Sequence, residues 1–309
     1  MDKINYHSKL LCIGSDFTMD IASCLRRYGF TYKANPFGTI YNPISVFKLL
    51  NIAANSNSID ENLITETNGV WNHYDFHYQL SSTTRNGLMS DLAVAVSQTN
   101  SYLKETDFLF VSMGSAFAYR YNNESYVANC HKSNPFLFDK VLLTPEEIVE
   151  EYRKVYPAIE NIKNVIFVIS PILFSGDSIA VNMVSKSVLR LACHMLLDEF
   201  PNTRYFPAYE ILYHDLRDYR FYHKDLIHPN DIAMEYIFER FVEGYVVKDL
   251  HEGIQKANDI IQSLAQLPYN PQSQIFQQHL NEAITQLDQL NLAMDIKHIK
   301  EKLSVELLN

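Results

Sequence analysis

Strand-length apolar runs recur along this chain, and each is followed by a pattern at helical spacing. Lys9 to Ile13, "KLLCI", precedes a helical stretch from Met19 to Arg27, while "DFLFVSM" (Asp107 to Met113) and "VIFVIS" (Val165 to Ser170) end at Gly114 and Pro171. Runs that apolar belong to strands buried on both faces, and such strands occur in parallel sheets covered by helices. Between the last two, Thr144 is placed as an N-cap with Pro145 at the first helical position and Glu146 and Glu147 in the first turn, the signature of a helix start. A long helix is expected from Ser178 to Phe200, a last short strand in "TRYFPAYEIL", and a last helix of the sheet region from Pro229 to Tyr245. The expected fold class is therefore α/β, a three-layer α/β/α sandwich on a mainly parallel sheet.

Two further helical segments are expected at Ile44 to Ala54 and at Ser90 to Leu103, the second capped by Ser90 or Asp91. Apolar and polar residues alternate from Val70 to Leu80, so an extended excursion is expected there. Beyond residue 246 strand patterns stop. Two amphipathic helical stretches flank the break "PYNPQ", which reads as a hairpin packed on the sheet domain or on a second copy of the chain. The boundary divides the chain into a domain over 1–245 that carries the chemistry and a helical extension over 246–309, with homo-oligomerisation through those helices as an expectation.

Charge narrows the partners. Lys and Arg number 26 against 36 Asp and Glu, a net charge of -10 with no basic cluster. Nucleic acids and anionic membranes are bound through basic patches, so small molecules or glycans are the expected ligands. The start lacks the apolar segment of a secretory signal, and no stretch is expected to span a membrane. The four cysteines, Cys12, Cys24, Cys130 and Cys193, show no CxxC spacing. Reduced thiols in a cytoplasmic protein are the expectation.

Gly14-Ser15 ends the first strand, at the carboxyl edge where open α/β sheets place ligands. Ser15 alone also reads as a helix cap, and it becomes a nucleophile only with a base. Asp225 and His228, three apart before Pro229, supply a candidate: at that spacing the carboxylate can hold one imidazole nitrogen and stabilise the cation. The same spacing recurs at Asp295 and His298, where a solvated helical pair is the plainer reading.

With these pieces the chain resembles the SGNH (GDSL-like) hydrolase superfamily, and within it the GSCFA-domain family. "LLCIGSDF", "NPFGTIYNP", "WNHYDFH", "VANCHK", "VSKSVL", "YFPAYEI", "LRDYRFYHKDLIHP" and "LPYNPQSQIFQQHL" are similar to that family's strings and stand in its order, over nearly the whole chain. The resemblance implies a flavodoxin-like strand order and an esterase or O-acyltransferase acting on O-acyl esters of a glycan or small molecule. Ser15 would be the nucleophile, His228 the general base and then acid, and Asp225 its orienting partner, with no cofactor or metal required. The amides of Ser15 and Gly38 would be oxyanion donors, with Asn42 adding a side-chain donor and Ser115 standing for a family threonine. Gly38 and Asn42 read equally as turn formers in a Pro-rich loop.

Three departures from the pattern bear on activity. Asp16 replaces the cysteine of the family signature, "SMGSAFAYR" has Ala116 where the superfamily carries an oxyanion asparagine, and "SPILF" lacks the arginine and histidine common after Ser-Pro. A non-catalytic binding protein on the same fold is the alternative these allow. His73, Asp75 and His77 would share a strand face and, with His131, could ligate a metal or line a substrate, but they read as well as a satisfied structural cluster. Tyr219, Arg220 and Tyr222 lie close enough in sequence to Asp225 to line its cleft, although packing is the plainer reading.

Overall fold

The structure, a computed structural model, describes residues 2–265, 270 and 273–290. In chain order the first half comprises β1 (Lys9–Gly14), α1 (Phe17–Arg27), β2 (Thr31–Ala34), α2 (Pro43–Asn55), β3 (Ile64–Thr67), β4 (Val70–His73), α3 (Arg85–Leu103) and β5 (Phe108–Met113). There follow β6 (Phe117–Tyr121), β7 (Ser125–Val127), β8 (Phe138–Leu142), α4 (Pro145–Ile159), β9 (Asn164–Ile169), α5 (Ile179–Glu199) and β10 (Thr203–Phe206). A single turn, α6 (Ala208–Glu210), leads to α7 (Asp231–Tyr245), α8 (His251–Ala265) and α9 (Gln274–Gln289).

Five strands form one parallel sheet in the order β10-β9-β5-β1-β2. Numbered within the sheet, that is the flavodoxin-like order, with its switch point where β1 lies between β2 and β5. The central strands β5 and β9 are buried along their full length, as their apolar runs require. Alternate residues point to opposite faces. Leu11, Ile13, Leu109, Val111 and Phe167 meet α2, α3, α4 and α5, while Leu10, Cys12, Phe108, Phe110 and Ile166 meet α1 and α7. The α/β/α sandwich is thus in place, with β2 an edge strand whose Thr31 and Lys33 break the apolar signal.

The C-terminal helices extend one of these cores: Ile254 and Ala257 of α8 and Ala283 and Leu287 of α9 are buried on the α1/α7 side. Asp295 and His298 lie outside the described residues. Helix α5 bears on the expectation that no stretch spans a membrane. Among the described residues it is long and apolar enough by composition to cross a membrane, but Leu189, Ala192, Cys193 and Leu196 pack it into the α/β core.

Local starts differ from expectation for definable reasons. Helix α3 begins at Arg85, because Thr84 rather than Ser90 or Asp91 accepts the capping bond, from Gly87 N at 3.0 Å. The excursion expected as extended to Leu80 leaves strand geometry at His73, where Nδ1 accepts from Asp75 N at 3.1 Å and closes a turn. Thr144 and Glu147 form the reciprocal capping box that starts α4. A small antiparallel sheet, β7-β6-β8, follows β5 and stands beside the carboxyl edge of the main sheet.

Candidate active site

Gly14 shapes the corner at which β1 ends. It has φ +129°, and a Cβ there would lie 1.9 Å from the carbonyl oxygen of Ser112 on β5. Asn35 brackets the same corner from β2: its Oδ1 accepts from Gly14 N at 2.8 Å, and its own amide donates to Cys12 O at 2.9 Å. Ser15, only 1% exposed, lies with its Oγ 2.7 Å from the Ser112 hydroxyl. Its hydroxyl partner is therefore Ser112 and not His228.

The Asp225–His228 pair forms as the spacing implies. His223 N donates to His228 O at 2.8 Å, closing a tight turn in which Leu226 takes φ +60°. Asp225 Oδ1 accepts from the amides of Ile227 (3.0 Å) and His228 (3.1 Å), and Oδ2 lies 2.6 Å from His228 Nδ1. These two amides, with the imidazole, hold the carboxyl well below the usual carboxylate range. An ionised carboxylate only accepts, so Nδ1 carries the proton and Nε2 is the end left for chemistry. Asn230 anchors the turn: it caps α7 through Ala233 N (3.2 Å) and donates to Arg220 O (2.7 Å). Helix α7 consequently starts at Asp231 rather than Pro229, which pairs with Tyr222 in an isolated bridge.

A cavity of about 160 Å³ opens at this edge, lined by Asp16, Tyr41, Gly114, Ser115, Phe174 and His228 among others. A Cβ on Gly114 would come within 3.0 Å of Ser15 Cβ and 2.9 Å of the Tyr41 ring. Ser15 itself does not line the cavity; the bare Gly114, which does, packs against it. Asp16 faces the cavity, where its Oδ2 accepts from the Tyr41 hydroxyl at 2.6 Å. Burial and this carboxylate push the Tyr41 hydroxyl upward, so it stays a donor. One turn further along α1, burial pushes the Asp20 carboxyl up to about 6, with His228 pulling against it.

Several expected contributors are engaged elsewhere. Both expected oxyanion amides already donate to backbone carbonyls, Ser15 N to Ser112 O (3.0 Å) and Gly38 N to Asn35 O (2.8 Å). Gly38 lacks a side chain for a packing reason: with φ +76°, its Cβ would fall 2.2 Å from His77 Cβ. Asn42 caps α2, its Oδ1 accepting from Ser45 N (2.8 Å) and its Nδ2 donating to Val127 O (3.3 Å). His131 Nε2 contacts the carbonyls of His73 and Phe76, His73 Nε2 that of Asp60, and Asp75 pairs with Lys48 at 2.7 Å. These are structural ties, and among the described residues no group of three His, Cys, Asp or Glu could hold a metal. Ser115 lines the cavity, with its Oγ accepting from Phe117 N at 3.0 Å.

The amides of Asp16 and Phe17, at the start of α1, find no acceptor among the described residues. They are the orphan donors any helix N-terminus leaves.

Sequence reasoning missed the residues that hold the cavity floor. Lys186, 2% exposed on α5, donates to three carbonyls: Gly114 O (2.7 Å), Ser170 O (2.8 Å) and Ile172 O (3.0 Å). Burial pushes its ammonium down to about 7. The preceding Ser185 accepts from Ala116 N at 2.8 Å and contacts Ser115 Oγ at 3.3 Å. A lysine in register with Leu189, Cys193 and Leu196 at helical spacing, in "VSKSVL", was the available signal.

No curated protein matches this chain. The family model described as the GSCFA family matches residues 9–241, a span that includes β1 with Ser15, the Lys186 clamp and the Asp225–His228 turn, and the chain belongs to that family.

Proposed function

We propose that this protein is a serine-dependent acyl esterase or O-acyltransferase of SGNH type, working on an O-acyl ester of a glycan or small molecule. The observation that supports the reading is that Gly114, which lies against Ser15, and His228, held by an ionised Asp225, line one cavity at the carboxyl edge of the sheet. In the proposed reaction Ser15 Oγ exchanges its Ser112 bond for one to His228 Nε2. The oxygen attacks the ester carbonyl as Nε2 takes its proton, and the ester C–O bond then breaks. The leaving alcohol departs with that proton, and water or an acceptor hydroxyl resolves the acyl-Ser15 by the reverse transfer. The unengaged amides of Asp16 and Phe17 are the donors this scheme assigns to the oxyanion, and the Asp16 carboxylate opposes it.

A second reading, a binding protein without turnover, is favoured by the Ser15–Ser112 hydrogen bond and by the engaged amides of Ser15 and Gly38. Labelling with a fluorophosphonate probe separates the two. The expected result near pH 8, where a histidine base is neutral, is one adduct on Ser15 that is lost in Ser15→Ala and in His228→Ala. An intact, folded protein with no adduct would establish the binding reading instead.

Release from Ser112 gives a further expectation. Ser112→Ala removes the competing partner and should speed labelling by roughly two- to fivefold, at a cost of about 1 kcal/mol in stability. Slower labelling would mean that Ser112 supports the reactive rotamer rather than competing with it.

A further inference from the structure

A second, smaller cavity of about 50 Å³ adjoins the first and shares Tyr41, Ser115 and Phe174 with it. The small antiparallel sheet forms its far wall, through Phe117, Tyr119 and Lys140, and Ala128 completes it. Its walls are aromatic and carry few available polar groups. Asn42 and Ser115 border it, but the Asn42 amide is committed to Ser45 N and Val127 O, and the Ser115 hydroxyl to Phe117 N. The Lys140–Asp177 ion pair borders it as well, with the ammonium 4.5 Å from the centre of the Phe117 ring and 5.6 Å from that of Phe174. Phe174, which stands between the two cavities, has its backbone gripped on both sides by Asn182, at Phe174 N (2.9 Å) and Phe174 O (3.0 Å).

We propose that this slot is the acyl pocket, which takes the short apolar acyl chain of the ester whose carbonyl is presented to Ser15. The proposal rests on the esterase or acyltransferase reading and adds to it the class of acyl group. Continuity supports the assignment: the two cavities share Tyr41, Ser115 and Phe174, so a chain leaving a carbonyl beside Gly114 and Ser115 runs along the Tyr41 and Phe174 rings into the slot. Size sets the limit, because one water needs about 10–15 Å³ of such space, so the slot takes only a short chain. The ion pair sets selectivity, since a longer chain must displace it and the rings beneath its cation.

The test is a series of p-nitrophenyl esters with acetyl, butyryl and octanoyl chains, read as the rate of acyl adduct formation on Ser15 by mass spectrometry, with nitrophenolate release alongside. Butyryl should react about tenfold faster than acetyl from two more buried methylenes, and at least about tenfold faster than octanoyl. Lys140→Ala, an ion-pair residue whose loss leaves the cores intact, should raise the octanoyl rate about tenfold by removing that obstacle. Ala128→Leu, which fills the slot, should erase the butyryl advantage. If Ser15 takes the fluorophosphonate but acylates at equal rates across the series, the slot is not the acyl pocket and the serine chemistry stands. If Ser15 takes neither probe nor ester, both readings fall together.

Discussion

Gly14→Ala is expected to prevent the chain from reaching this fold. The new Cβ would sit 1.9 Å from the Ser112 carbonyl oxygen and 2.8 Å from its carbon, both in the backbone of the neighbouring central strand. Backbone cannot swing aside as a side-chain tip can, and alanine is in addition strained at φ +129°. Relief would require β1 to move away from β5, breaking the register Leu10 with Phe108 through Gly14 with Ser112. The same shift would pull Ser15 N from Ser112 O and press β1 toward β2, distorting the bonds of Gly14 N to Asn35 and Ile40 N to Gly14 O. A loss above about 4 kcal/mol belongs to the exceptional class of substitutions, and the measurable outcome is insoluble protein or a lost unfolding transition by circular dichroism. A variant that melts within a few degrees of wild type would mean that β1 and β5 tolerate a wider separation at the corner.

Which parts were legible follows from where a residue's partners lie. The central strands declared themselves because burial on two faces leaves no polar positions, so "DFLFVSM" and "VIFVIS" carry their location in composition alone. Edge strand β2 did not, since "TYKA" mixes exposed and half-buried residues and is defined by its pairing with Lys9 to Cys12. Asp225 and His228 were readable because three residues in one tight turn fix their geometry locally. Gly38 and Asn42 stayed open between two readings for the complementary reason. A glycine that a ligand needs and one that His77 needs look identical in one dimension, and only the contact across 39 residues tells them apart. Asp16 was ambiguous in sequence, and its direction is decided by a hydroxyl 25 residues away on Tyr41.

Lys186 is the extreme case of a residue whose meaning is entirely tertiary, and its replacement carries the second large effect expected here. Lys186→Met keeps the stem's volume but removes three N–H donors from carbonyls at the ends of β5 and β9. Each buried acceptor left alone costs about 1–3 kcal/mol, and the gain from a neutral thioether offsets part of that. Near pH 9 the folded amine, its pKa lowered to about 7, is neutral and keeps two of the three N–H donors, so a net loss of about 2–4 kcal/mol and a fall in Tm of roughly 10 °C are expected there. The effect should depend on pH, with a definite sign. Burial lowers the folded pKa to about 7 from 10.5, so between those values the unfolded chain binds more proton than the folded one. Wild-type stability from this site therefore rises with pH across that window, by at most about 1.4 kcal/mol per unit. Methionine titrates in neither state, so the deficit of the variant should be smallest near pH 6 and grow toward pH 10. Denaturant unfolding of both proteins at pH 6 and pH 9 measures it directly. An equal deficit at both would mean that the three carbonyls offset the burial penalty fully and keep the ammonium at its ordinary pKa. The same carbonyls belong to Gly114, Ser170 and Ile172, all of which line the cavity beside His228. Loss of the clamp is thus expected to loosen the floor beneath the candidate nucleophile as well as the fold, which ties the stability of this site to its geometry through a single ammonium group.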